Sequence, residues 1–110
     1  MSKINLTYKN KNYELEYTRQ AVKNMEAQGF VLDQVSDKPM TMIPLLIYGA
    51  FMKNHASVKR KTIDEIADEL GNNKIKFINA LAEMYAETVS SLMGEDDEDA
   101  EGNVQWEVTQ

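Results

Sequence analysis

The longest apolar stretch of the chain is residues 39–52, PMTMIPLLIYGAFM, which contains no charged residue. Asp37, Lys38 and Lys53 flank it on both sides. A helix that is apolar on every face is usually surrounded by other elements, and this stretch is shorter than the roughly 20 residues that cross a bilayer. We therefore predict a central helix over 42–54, buried on all sides, with Pro44 in its first turns.

A strict alternation of apolar and polar residues near the N-terminus predicts a β-hairpin over 3–17. Asn tolerates the backbone of tight turns, so we place the turn at Asn10-Lys11. An isolated hairpin is marginal in water and must pack on the helices. The turn at Asn10-Lys11 would pair Tyr8 with Tyr13, Leu6 with Leu15 and Ile4 with Tyr17.

Three further helices follow from apolar spacing and from residues that begin or end helices. Thr18 is a good N-cap and Gly29 a good C-terminal stop. Thr62 and Glu65 form a capping-box pattern, and Gly94 ends the last apolar stripe. We expect Gly49, within the central helix, to allow close approach of a neighbouring helix. The predicted ranges are 18–28, 62–70 and 74–93.

The predicted fold class is therefore mainly α (α+β), with an N-terminal β-hairpin packed on about four helices. We expect a globular domain over 1–94 and a disordered acidic tail over 95–110, with a strand pattern at 103–108. The hairpin and the other helices are few elements to cover a central helix that is apolar on every face. A face of the central helix left open would serve a client protein or a second subunit.

The net charge of −6 comes from the tail. Residues 95–110 contain seven acidic and no basic residues, which leaves twelve basic and eleven acidic residues, a net +1, in residues 1–94. Neither part provides a basic surface for phosphates, which argues against nucleic-acid binding. In the tail, Val104, Trp106 and Val108 alternate with polar residues, so this segment either adds to the edge of the hairpin or is a frayed chain end.

The sequence shows no pattern typical of catalysis, and we predict neither a catalytic nor a cofactor site. There is no cysteine and only one histidine, which excludes thiolate and two-histidine metal sites within one chain. His55 is expected to be a surface or capping residue in a polar loop. The N-terminus lacks the apolar core of a signal peptide, which disfavours secretion by that route.

The order of these segments resembles the small tail assembly chaperones of long-tailed bacteriophages, particularly siphophages of Gram-positive hosts. The resemblance covers the whole chain. It begins with a hairpin and ends with a long helix and an acidic tail. The stretches that carry it are Tyr17-Thr18-Arg19-Gln-Ala-Val, Met25-Glu26, Gly29-Phe30, Leu46-Ile-Tyr48-Gly49-Ala50-Phe51, Lys53-Asn54-His55 and Ile63-Asp-Glu-Ile.

This resemblance implies a non-enzymatic protein that binds the tape measure protein before the tail tube assembles around it. It also implies self-association, contact with the tail tube protein, a location in the host cytoplasm and absence from the mature virion. In many relatives a programmed frameshift adds a C-terminal extension. The family offers no catalytic residue, cofactor or metal site, and we expect no membrane partner.

The candidate protein-binding residues are apolar side chains of the central helix, the last helix and the tail. The alternative function is that of a small acidic regulatory or inhibitor protein, which predicts acidic residues spread over the folded surface. The candidates are Tyr48, Phe51, Met52, Met84, Tyr85, Val104, Trp106 and Val108.

Overall fold

A computed structural model describes residues 2–94, which form a β-hairpin followed by four α-helices. This confirms the mainly α fold class with an N-terminal hairpin. The tail over 95–110 and its strand pattern at 103–108 lie outside the described residues. The elements are β1 (Ile4–Tyr8), β2 (Lys11–Leu15), α1 (Arg19–Ala27), α2 (Pro39–His55), α3 (Arg60–Glu69) and α4 (Lys74–Met93), with 3-10 turns at Leu32–Gln34 and Gly71–Asn73.

The hairpin turns one residue earlier than predicted, at Lys9-Asn10. Both residues have positive φ, +48° and +65°, as expected for the two central positions of a type I′ turn. The predicted pairing was therefore wrong by two residues, a shift that leaves each side chain on the same face. The observed pairs include Ile4 with Leu15, Leu6 with Tyr13 and Tyr8 with Lys11.

The outer edge of β2 is hydrogen-bonded to the end of α2 instead of to a third strand. The Glu14 amide donates to His55 Nε2 at 3.0 Å, and the Glu16 amide donates to the Ala50 carbonyl at 3.2 Å. Asn54 Nδ2 donates to the Glu14 carbonyl at 3.1 Å. The last two turns of α2 thus satisfy the edge groups that a sheet would otherwise leave open.

Glu16 is a buried carboxylate with two partners on α2. Lys53 Nζ donates to its Oε1 and Asn54 Nδ2 to its Oε2, both at 3.0 Å. The Glu16 side chain is only 6% exposed, whereas that of Lys53 is 46% exposed. The hydrogen bonds from Lys53 and then from Asn54 lower the pKa of Glu16. A charged Glu16 therefore helps to join β2 to α2.

The first helix has the ends that the sequence predicts. The Thr18 hydroxyl accepts a hydrogen bond from the Ala21 amide at 3.0 Å, and α1 begins at the next residue, Arg19. Gly29 follows the helix with a φ of +93°, a conformation that glycine adopts without steric cost. Phe30 can then turn back into the core, where it is 3% exposed.

The central helix is longer than predicted, because it begins at Pro39 and not at Met42. The amide of the first residue of a helix has no hydrogen-bond partner within the helix, so Pro39, which lacks an amide hydrogen, loses nothing there. Pro44 then lies inside the helix and withholds one hydrogen bond from the Met40 carbonyl. Met40 is 89% exposed, so water can reach that turn. At the other end α2 includes His55, which is therefore not in a loop.

The predicted capping box of the third helix was wrong. The helix begins at Arg60, and its N-cap is Lys59, which makes no side-chain capping bond. Thr62 is inside the first turn, where its amide donates to the Lys59 carbonyl. The last helix, α4, has the predicted bounds, and Gly94 follows it as the C-cap with a φ of +82°.

The core lies around α2, which contacts β2, α1, α3 and α4. The Tyr17 hydroxyl lies inside this core and donates to the Leu46 carbonyl. Burial raises the pKa of Tyr17 well above its usual value, so the hydroxyl stays a donor. The largest fully buried side chains are Tyr17, Phe51, Leu15, Met25, Leu46 and Leu81.

Gly49 allows α1 to pack directly against α2. A Cβ atom at this position would lie 2.3 Å from Met25 Sδ and 2.9 Å from Met25 Cγ. Real carbon atoms do not approach so closely, so only glycine fits without a shift. This confirms the expected close approach of a neighbouring helix at Gly49.

Candidate protein-binding groove

An open groove of about 450 Å³ runs along α2. Leu45, Tyr48 and Met52 of α2 line it, and all three are half-buried. Their spacing of three and four residues places them on one face of the helix. We call this row of three side chains the α2 ridge.

The two walls of the groove come from α1 and from the segment that joins α2 to α3. The α1 wall mixes polar and apolar side chains, and the opposite wall is mostly apolar until Arg60. The groove therefore has an apolar base with polar groups along its rim. The wall residues are Asn24, Ala27 and Gln28 on one side and Ala56, Val58 and Arg60 on the other.

Tyr48 is held in place by two residues of α3. Its hydroxyl donates to Asp64 Oδ1 at 2.7 Å, and the Arg60 guanidinium lies 4.7 Å from the centre of its ring. Arg60 Nη2 also donates to Gln28 Oε1 at 3.3 Å, a bond that joins the two walls. Burial, followed by the hydrogen bond to Asp64, raises the pKa of Tyr48. The ring is thus a neutral surface of fixed orientation.

Met52 gives the other end of the ridge an adaptable surface. Its sulfur lies 3.9 Å from Asn24 Nδ2, a weak contact with the α1 wall. Methionine has an unbranched, polarisable side chain that adapts to differently shaped partners. The ridge therefore combines one oriented aromatic ring with one flexible thioether.

Three of the predicted contact residues line the groove: Tyr48, Phe51 and Met52. Three of the predicted residues are buried: Phe51 is 1% exposed, Met84 3% and Tyr85 6%. Phe51 follows Tyr48 by three residues but lies between the groove and the core, and consecutive helical positions such as 51 and 52 point about 100° apart. These three side chains have little surface for a partner, and we leave them out of the proposed interface.

The burial of Tyr85 has a clear cause in the packing of α4. Its ring lies 5.7 Å from that of Tyr17 and 5.0 Å from that of Phe30, both in edge-to-face geometry. Aromatic pairs favour this geometry over face-to-face stacking. Tyr85 thus belongs to an aromatic cluster between the hairpin, α1 and α4. The other predicted contacts, Val104, Trp106 and Val108, lie outside the described residues.

Sequence reasoning missed Leu45 and assigned no contact to His55. Leu45 precedes Tyr48 by three residues and Met52 by seven, so helical spacing alone would have placed it on the ridge. His55 has no such signal. Its role depends on the bond from the Glu14 amide and on its packing 5.1 Å from the Tyr13 ring, which only the three-dimensional structure reveals.

A second apolar surface lies at the start of α2. A shallow depression of about 360 Å³ is lined there by Met40, Ile43, Pro44 and Ile47, with Asp64, Asp68 and Lys74 at its margin. Met40 is the most exposed large apolar side chain of the part of the chain that the structure describes, at 89%. Ile75, next to Lys74, is 74% exposed.

Residues 2–94 provide neither a cluster of metal ligands nor a membrane-spanning helix. Over this range no group of three or more His, Cys, Asp or Glu side chains is arranged to hold a metal ion. None of the helices in the same range combines the length and hydropathy needed to cross a membrane.

Comparison with known proteins gives a family match over the whole chain. A family model described as "Domain of unknown function (DUF5055)" matches residues 1–110. No curated protein and no solved structure matches the chain. The family description names no activity or partner, so the groove must be interpreted from its own residues.

Proposed function

The chain belongs to the DUF5055 family, and we propose that it is a non-enzymatic phage tail assembly chaperone that binds the tape measure protein. One observation carries the proposal. The α2 ridge is a row of partly exposed side chains along the base of an open groove between α1 and the start of α3. The order of hairpin, helices and acidic tail, which resembles that of tail assembly chaperones, supplies the identity of the client.

The shape and chemistry of the groove suit an apolar helix. A helix that presents side chains at spacings of three and four residues fits a groove with the same spacing along its base. Arg60, Gln28 and Asn24 on the walls provide hydrogen-bonding groups at the rim. A long helical client would be held by its apolar stripe, while its polar side faces water.

The size of the ridge indicates weak binding by each copy. Covering the exposed part of these three side chains contributes at most about 1 kcal/mol each, or about 3 kcal/mol in all. A micromolar complex needs about 8 kcal/mol. Copies joined to one another by self-association and bound along one client would make up the difference by avidity. Weak individual contacts also suit a chaperone that the tail tube protein later replaces.

The charge distribution favours this proposal over an acidic inhibitor. An inhibitor that imitates nucleic acid needs acidic residues across its folded surface. Here residues 1–94 carry a net charge of +1, and seven acidic residues lie in 95–110. A body with almost no net charge does not repel an apolar client, whether the net charge of the client is positive or negative. The proposal extends to self-association, contact with the tail tube protein, action in the host cytoplasm and absence from the finished virion.

Co-expression with a tape measure fragment tests the proposal. The wild-type chain should keep the fragment soluble and copurify with it. Met52→Glu places a charge on the half-exposed end of the ridge and should release the fragment into the insoluble fraction. Thr41→Glu is the matched control, because Thr41 is an exposed residue of the same helix outside the groove.

The fold of both variants is checked by far-UV circular dichroism before the comparison. A fragment that precipitates with the wild-type chain would contradict the proposed function. A fragment that stays soluble with wild type and with both variants would instead contradict the assignment of the groove as the client site.

A further inference from the structure

The two edges of the hairpin differ in how their backbone groups are satisfied. In a hairpin with a two-residue turn, the residues on either side of the turn are hydrogen-bonded to each other, and this pattern recurs at every second position. Ile4, Leu6 and Tyr8 therefore direct their backbone groups toward β2. Asn5 and Thr7 direct theirs outward. Within residues 2–94 no further backbone hydrogen bond reaches Asn5 or Thr7, whereas α2 covers the outer edge of β2.

The inner face of β1 also keeps apolar area uncovered. Ile4, Leu6 and Tyr8 pack against the core, but each remains partly exposed. A two-stranded sheet with such an edge is marginal in water, and an uncovered edge favours pairing with another strand. The geometry of β1 thus leaves room for one strand that would cover both the free backbone groups and these side chains.

The C-terminal tail starts near the beginning of β1. The Ser2 amide and hydroxyl donate to the two carboxylate oxygens of Glu87, each at 2.9 Å. Gly94 lies seven residues beyond Glu87, about 10 Å along the helix. The eight residues 95–102 can span up to about 26 Å, and β1 is only about 17 Å long. Residue 103 can therefore reach the beginning of β1.

The tail segment has the pattern that this edge requires. Val104, Trp106 and Val108 alternate with Gln105, Glu107 and Thr109, so one face is apolar and the other polar. The opposite face of β1 starts with Lys3, which is 53% exposed and already pairs with Glu14 at 2.7 Å. Lys9 is exposed at the other end. These lysines complement the charge of Glu107 and of the acidic residues before it.

We propose that residues 103–109 add to β1 of the same molecule as a third strand. Val104, Trp106 and Val108 then cover the exposed flank of Ile4, Leu6 and Tyr8. The outward backbone groups of Asn5 and Thr7 pair with the added strand. This inference does not depend on the proposed function, because it concerns only the hairpin and the tail of the chain itself.

The single tryptophan of the chain makes the proposal testable in the full-length protein. Docked on β1, Trp106 should emit at shorter wavelength, and be quenched less by acrylamide, than in a free peptide of residues 95–110. Asn5→Pro removes an outward amide, and proline is tolerated on strand edges. This variant should shift the emission to that of the free peptide. Asn5→Thr keeps the amide and should leave the emission as in wild type.

Amide exchange gives a second measurement that does not rely on proline. The Asn5 and Thr7 amides should exchange slowly in the wild-type chain. In the full-length Trp106→Ser variant they should exchange faster, while the Leu6 amide, which faces β2, stays protected. Equal exchange in both chains would overturn the proposal. Emission of wild-type Trp106 identical to that of the free peptide would overturn it as well.

Dilution decides whether the strand comes from the same molecule. An emission maximum that does not change with protein concentration supports docking within one molecule. A shift to the free-peptide value on dilution, together with a dimer mass from light scattering, would show that a second copy supplies the strand and would overturn the intramolecular assignment.

Discussion

Replacing Gly49 by alanine tests the contact between α1 and α2. In an exposed helix, alanine is more stable than glycine by about 1 kcal/mol. Here the new Cβ would lie 2.3 Å from Met25 Sδ, and Met25 is only 1% exposed, so its side chain would have to shift against packed neighbours. Overpacking a core costs about 1–3 kcal/mol. At the upper end of this range the packing cost exceeds the gain in helix propensity, so Gly49→Ala should destabilise the protein by about 1–2 kcal/mol.

The assay is urea unfolding followed by circular dichroism, with the midpoint and slope fitted together. Ala86→Gly is the matched control, because Ala86 is an exposed residue of α4. This variant should lose about 1 kcal/mol, the helix-propensity difference alone. Gly49→Ala raises the helix propensity and Ala86→Gly lowers it, yet both substitutions should destabilise the protein.

The Met25→Ala background separates packing from propensity. Met25→Ala itself should lower the free energy of unfolding by about 2–5 kcal/mol. It also removes the three Met25 atoms that a Cβ at position 49 would meet, so adding Gly49→Ala should then stabilise the protein by about 1 kcal/mol. This change of sign is the signature of a direct contact. Stabilisation by Gly49→Ala in the wild-type background would refute the reasoning.

Three further substitutions test the contacts that join the hairpin to α2. The hydrogen bonds from Lys53, and then from Asn54, lower the pKa of Glu16. That contribution to stability is present above the pKa of the unfolded side chain and is lost as the pH falls through the lowered pKa. Urea midpoints between about pH 7 and pH 2 should therefore fall less steeply in Glu16→Gln than in wild type, and parallel curves would contradict the assignment. His55→Phe keeps an aromatic ring but leaves the Glu14 amide without its acceptor, so the free energy of unfolding in urea should drop by about 1–3 kcal/mol, and an unchanged midpoint would argue against the bond. Tyr17→Phe removes a buried donor to an α2 carbonyl and should cost about 1 kcal/mol in the same assay, where a neutral result would count against that bond.

The parts of the fold that local sequence determines were predictable. Thr18 and Gly29 mark the ends of α1, and α4 has the expected bounds, because caps and apolar spacing act over a few residues. The turn of the hairpin was not predictable from alternation. Pairing at Lys9-Asn10 and pairing at Asn10-Lys11 leave the same residues on the same face, and only the positive φ of both Lys9 and Asn10 separates them.

Features that depend on distant residues could not be derived from the sequence. The pattern Thr62-x-x-Glu65 is typical of a capping box, but α3 begins two residues before Thr62. Apolar residues at helical spacing do not show which side another element will cover. Phe51 and Met52 are equally apolar neighbours, yet the packing of the hairpin buries the first and leaves the second half-exposed.

The hydrogen bonds between the β2 segment and the last turn of α2 also determine when the hairpin becomes stable during synthesis. Glu14 and His55 are separated by 41 positions, and Glu16 and Lys53 by 37. At about 5–20 residues per second, a ribosome needs roughly 2–8 s to make the intervening chain. A two-stranded hairpin is at best marginal alone, so the N-terminal strands should open and close repeatedly over those seconds. They become a permanent pair only when the end of α2 emerges and binds them.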